Sequence, residues 1–125
     1  MCLRKLARFK PCKIGYKVMY MSGGNFYGEY YSRNKPRKLG AWLHERGFRD
    51  KHITVGTIDT DHGKSCPRGW HIIHRKDDAL GWLRASGFGN VCVKVSVREP
   101  LAVGYQGGDM KVTIAKQIKI LRIVE

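Results

Sequence analysis

The sequence predicts a single α+β domain: a twisted, mostly antiparallel sheet carrying one or two short helices. Three observations predict it. Residues 91–97 alternate, with Val91, Val93, Val95 and Val97 on one side and Cys92, Lys94 and Ser96 on the other, the period of a half-buried strand. Residues 15–31 hold two strand-like runs around Ser22-Gly23-Gly24-Asn25, a turn of the sort that closes hairpins. Residues 66–83 read as a turn, a short strand and a capped helix. At 125 residues the chain is long enough for one core and too short for two domains of usual size. It divides into a basic arm, 1–13, and a body, 14–125.

Along the arm, basic and apolar residues mix, with Leu3, Leu6 and Phe9 three apart. A short helix fits that spacing, and the arm can either dock on the body or lie along a nucleic-acid backbone. In the run 15–21, Tyr16, Val18 and Tyr20 share one face, and Lys17, Met19 and Met21 the other. The run 26–31 should pair back across the turn. Six aromatics from Tyr16 to Tyr31 could form a stacking platform for bases, although strand aromatics more often serve as core or cross-strand pairs. Residues 39–46 fit a short helix with Leu39, Trp42 and Leu43 inward, and 53–58 a strand. In the next loop, Asp59, Asp61 and Gly63 look like part of a calcium loop, but its third acidic position and closing Glu are missing.

Pro67 and Gly69 give the turn its mechanism, one by fixing φ and the other by tolerating positive φ. A strand over Trp70, His71, Ile72 and Ile73 follows, then a helix capped by Asp77 or Asp78, carrying Ala79, Leu80, Trp82 and Leu83 and stopped by Gly87. Pro100 is expected to end the strand at 91–97, with 104–109 a turn. In the last run Met110, Val112, Ile114, Ile118 and Ile120 share a parity before the pattern shifts to Leu121 and Ile123. A bulge or a break near Lys116 or at Leu121 would produce that shift.

Charge is the strongest compositional signal. Lys and Arg number 24 against 10 Asp and Glu, a net charge of +14, which implies a polyanionic partner. Residues 1–51 carry +10 of it and 52–125 the remaining +4. Arg33, Lys35, Arg37 and Lys38 crowd a Pro-containing loop, and Arg46, Arg49 and Lys51 follow the next element. Guanidinium forks and ammonium point charges both suit phosphate oxygens, so these seven, with Arg68 of the Pro67 turn, are the expected nucleic-acid contacts. The arm's Arg4, Lys5, Arg8 and Lys10 are the alternative site. The plain alternative is that these cations only solvate the fold.

No constellation here dictates a chemistry. His62, Cys66, His71 and His74 lie close in sequence, but their spacing matches no usual zinc pattern. Cys66 with either later histidine lacks the local motif of a nucleophilic pair. No metal, cofactor or catalytic residue is therefore assigned. Cys2, Cys12, Cys66 and Cys92 are too dispersed for a compact disulfide framework, so reduced thiols are expected. The segment 1–10 has basic residues throughout and no apolar core, which points to a cytoplasmic protein that engages no membrane.

Four stretches carry a family resemblance: GYKVM at 15–19, PRKLGAWL at 36–43, CPRGWH at 66–71 and AKQIKILRI at 115–123. Together they resemble small basic proteins of bacteriophage and prophage genomes. The resemblance implies a phage accessory factor, acting in the bacterial host cytoplasm on nucleic acid or on an acidic nucleoprotein partner, as an inhibitor of a host defence would. A second likeness is to ADP-ribosyltransferases, in which an early strand grips the cofactor and a later Gly-aromatic-polar strand leads into a helix. GYK at 15–17 and GWHIIHRKDDAL at 69–80 look similar in order. That likeness implies an alternative function, an enzyme using Tyr16 and His71 around a nicotinamide nucleotide. The chain departs from it at Lys17, where Arg or His is expected, and in having Glu99 and Glu125 only at strand ends.

Overall fold

The computed structural model describes residues 5–6, 9–27, 38–44, 70–86, 89–106 and 110–125. Its strands are β1 (Lys5–Leu6), β2 (Ile14–Ser22), β3 (Asn25–Tyr27), β4 (Trp42–His44), β5 (Trp70–Ile73), β6 (Val91–Gln106) and β7 (Met110–Ile123). The helix α1 (Lys76–Ser86) lies between β5 and β6. β6 and β7 form a long antiparallel hairpin, from Gln106 opposite Met110 to Val93 opposite Ile123. β2 runs beside the first half of β6, and β5 beside the first part of β7. Tyr16 then pairs with Ile73, which joins β2 to β5 and closes β2, β6, β7 and β5 into a four-stranded barrel.

This corrects the expected fold class. Strands take 64% of the described residues and the helix 14%, so the described residues form a mostly-β barrel with one helix, not an α+β domain with an open twisted sheet. The cause lies in the β6–β7 ribbon. It is long enough to bind strands along both edges, and its coiling brings those outer strands together, which removes the open edges. Where they meet, Gly15 has no side chain to hold them apart. A Cβ there would lie 2.9 Å from the Ile73 carbonyl oxygen and nearer still to Ile72 Cγ2.

Two packed layers follow from the alternation. Inside the barrel, Met19, Trp70, Ile72, Val91, Val93, Val95, Ala115, Ile118 and Ile120 form one cluster with Phe26 and Leu43. Outside it, Ile73, Cys92, Val112 and Ile114 pack with Ala79 and the half-buried Leu80, Trp82 and Leu83 of the helix. Those four helix residues repeat at the spacing that makes one apolar stripe. Asp77 and Asp78 sit in the first turn and Arg84 in the last, each favourable to the helix dipole. The helix begins before either Asp, however, since the Ala79 N–H already donates to the Arg75 carbonyl, so neither acts as the cap.

Several local expectations change on contact with the fold. Leu39, Trp42 and Leu43 do not line a helix: Trp42–His44 is a strand on β7, Leu43 is buried and Leu39 is 52% exposed. β6 continues past Pro100, which stays in register opposite Ala115. A positive φ at Glu99 and a bulge at Leu101 take the chain through that point. Accordingly Gly104–Gln106 are strand, not turn. The phase change in β7 has two parts: Leu121 is an extra residue relative to β6, as the pattern implied, while near Lys116 the unbroken strand passes from the helix-side layer to the barrel interior. Residues Lys5–Leu6 pair with β6 as a strand. The β2–β3 turn holds Gly23 and Gly24 at positive φ, as a two-residue hairpin of this kind requires. Residues 28–37, 45–69, 87–88 and 107–109, with the turn at Pro67, the strand at 53–58 and the Gly87 stop, lie outside the described residues.

Candidate nucleic-acid interface

The alternation that buries valines also builds a basic surface. Over residues 92–98 of β6 the even-numbered residues point away from the barrel interior, which puts Lys94, Ser96 and Arg98 on the outer face beyond Cys92. In β7, Lys119 lies opposite Ser96, Gln117 opposite Arg98, and Arg122 opposite Lys94. Trp42 of β4 pairs with Lys119, and Ile14 of β2 with Ser96. One row therefore crosses four strands as Trp42, Lys119, Ser96 and Ile14. The helix covers the neighbouring part of this outer surface, over Cys92 and Tyr16, and leaves this part open. Arg98 and Arg122 are exposed, Lys94 and Lys119 half-buried.

Trp42 differs from the other described tryptophans. Trp70 is buried and Trp82 packs under the helix, whereas Trp42 belongs to neither packed layer. Its ring is met by cations instead: the Arg98 guanidinium carbon is 3.8 Å from its centroid and the Lys119 ammonium 4.8 Å. At a surface such contacts contribute about 0.5–1 kcal/mol each. A nucleobase stacked on an aromatic ring contributes about 1–3 kcal/mol. A base can thus compete with a cation for the ring, and a cation that leaves it is free for a phosphate. Glu99, next to Arg98 in the chain, accepts a hydrogen bond from Gln117 Nε2 at 2.8 Å.

Of the eight residues expected from sequence to contact nucleic acid, Lys38 is described and exposed. It precedes a turn anchored to the edge of β7, where the Gly40 N–H donates to the Ile120 carbonyl at 2.9 Å. Arg33, Lys35, Arg37, Arg46, Arg49, Lys51 and Arg68 lie outside the described residues, as do His62 and Cys66. Lys94, Arg98, Lys119 and Arg122 were not singled out by sequence reasoning, although the outward parity of Lys94 and Ser96 in β6 was the signal that leads to them.

Other polar groups are built into the barrel itself. Lys17 faces the interior, where its ammonium donates to the His71 carbonyl at 3.1 Å and lies 5.6 Å from the Trp70 ring centroid. His71 is 3% exposed, and Tyr16 packs in the helix-side layer. At one end of the barrel, Thr113 Oγ1 accepts from the Cys12 N–H at 3.2 Å and lies 3.5 Å from Cys12 Sγ. It also bonds His74 Nε2. Phe9 packs edge-on against His74 and Tyr105, with the Lys111 ammonium 5.3 Å from its ring. Burial raises the Cys12 thiol pKa above its ordinary value, and burial, with Glu125 adding to it, pushes Cys92 up to about 11. Both thiols are protonated near neutral pH, which is the opposite of nucleophilic activation.

Burial, then the nearby Lys111 charge, lowers the His74 pKa below 6.5. A depressed folded-state value means that neutral His74 contributes stability above the unfolded pKa, and that this contribution is lost as pH falls through the folded value. The melting temperature of the parent should therefore exceed that of His74→Asn at pH 8, with the gap narrowing as the pH is taken to 5. A gap that is constant with pH would show that His74 has no such linkage.

No family model, curated protein or solved structure matches this chain. Among the described residues no group of three or more His, Cys, Asp or Glu side chains could hold a metal ion. No helix among them is long and apolar enough to cross a membrane.

Proposed function

We propose that this protein binds nucleic acid on the outer face of β4, β7 and β6. The observation that carries the reading is that Arg98 and Lys119 meet the Trp42 ring while Lys94 and Arg122 pair further along the same β6–β7 face, which the helix leaves open. Strand pairing fixes the spacing of these cations, so less freedom is lost when a backbone is gripped than with cations on a floppy tail. The overall charge of +14 supports the same reading, because it draws a polyanion toward the surface from a distance. The cations Arg33, Lys35, Arg37 and Lys38, and then Arg46, Arg49 and Lys51, flank β4 in the sequence and add to the charge that draws a polyanion to the protein. The resemblance to bacteriophage and prophage proteins gives a setting in which such a binder acts on nucleic acid or on a nucleoprotein.

Neutralising phosphates releases counterions, so log affinity falls with log salt by about 0.7 per contact on a single strand and about 0.9 on a duplex. Four contacts predict a slope of about −2.8 on a single strand. Fluorescence anisotropy of a labelled oligonucleotide at several salt concentrations measures it. No binding at low salt, or a slope near zero, would contradict the proposal.

A further inference from the structure

We infer that the ligand of this face is single-stranded nucleic acid and that Trp42 stacks on one of its bases, an inference that rests on the nucleic-acid reading above. The ring belongs to neither core, and among the described residues the side chains of Arg98 and Lys119 lie over it. The guanidinium at 3.8 Å already occupies the place of a stacked plane. A base that takes this place leaves Arg98 able to turn to the adjoining phosphate, so one exchange satisfies both halves of a nucleotide.

The interior of a duplex offers the ring no such partner, because each internal base is already stacked on both faces. In an unpaired strand the faces are open, and stacking on them is tolerant of sequence. The rest of the row suits the same ligand. Lys119 and Ser96 stand between Trp42 and Ile14, which is 50% exposed. With neighbouring strands about 4.8 Å apart, the row spans roughly 14 Å. It passes from an aromatic ring through a cation and a hydroxyl to an apolar side chain, which can support base, phosphate and sugar in turn. Stacking does not read the 2′-hydroxyl, so DNA and RNA share this chemistry.

The test compares DNA and RNA 12-mers with a DNA duplex of equal length, for the parent, Trp42→Ala and Trp42→Phe. The parent should prefer the single strands, and its fluorescence should be quenched on binding by an amount absent from Trp42→Phe, which keeps Trp70 and Trp82. Trp42→Ala should reduce the single-strand to duplex affinity ratio about tenfold, the loss of one stacked base, and Trp42→Phe should retain most of that ratio. Equal affinity of the parent for single strand and duplex, or an unchanged ratio in a folded Trp42→Ala, would overturn the inference while leaving nucleic-acid binding in place. Failure of the parent to bind any of the three would instead remove the reading beneath it.

Discussion

Trp70→Ala should lower the free energy of unfolding by about 3–5 kcal/mol, the usual loss for truncating a core tryptophan. Trp70 is 2% exposed inside the barrel, and its Nε1–H donates to the Leu43 carbonyl at 3.1 Å. Alanine would leave a cavity and also deprive a buried carbonyl of its donor. Leu43 is the central residue of β4, so the same change loosens the strand that carries Trp42 and should weaken nucleic-acid binding as well. Trp82 is half-buried under the helix, and Trp82→Ala should cost less. Urea unfolding of both variants measures the difference, and equal losses would contradict the assignment of Trp70 to the barrel core.

A second large effect is expected from the smallest substitution. Gly15→Ala should destabilise by about 3 kcal/mol, at the upper end of ordinary overpacking. Its Cβ would press on a backbone oxygen, Ile73 O at 2.9 Å, and on a fully buried Ile72. Neither can move without opening the Tyr16–Ile73 bridge that closes the barrel. Gly23→Ala provides the comparison. It has open space around it but a φ of 59°, so it should lose only about 1 kcal/mol through backbone strain. If Gly23→Ala unfolds more easily than Gly15→Ala, β2 and β5 do not meet as described.

These two positions also mark where sequence reasoning stops. Residues 15–21, 70–73 and 91–97 were legible because alternation and turn chemistry act over a few residues, and Ser22-Gly23-Gly24-Asn25 names its own turn. Barrel closure was not legible. It depends on a contact between Gly15 and residues almost sixty positions away, and nothing local to Gly15 distinguishes close approach from a simple turn. Residues 39–46 carry helix-favouring Leu, Ala and Glu, yet pairing with β7 overrides that preference for Trp42–His44. Pro100 looks like a stop, but it is accommodated between a positive φ at Glu99 and a bulge at Leu101, devices that belong to the hairpin as a whole.

The site was hidden for a related reason. A reading along the chain favours dense runs such as 33–38, where four cations fall within six residues. Lys94 and Arg98 are separated from Lys119 and Arg122 by more than twenty residues and become neighbours through the β6–β7 register. Trp42 joins them only because β4 adds to the edge of β7. Its ring was expected in the core, as an aromatic beside two leucines usually is, and it faces outward because Leu43 takes the inward position.

The central claim is that this sheet face, and not diffuse positive charge, grips the nucleic acid. Its most direct test is the salt dependence of single-strand binding by the variant with Lys94, Arg98, Lys119 and Arg122 all changed to Gln. The expected result is a slope close to zero where the parent gives about −2.8, with a melting temperature only modestly below the parent's, since two of the four charges are exposed and the ring contacts of Arg98 and Lys119 are of the small surface kind. A folded variant that kept the parent's slope would contradict the account and move the binding surface to other cations of the chain.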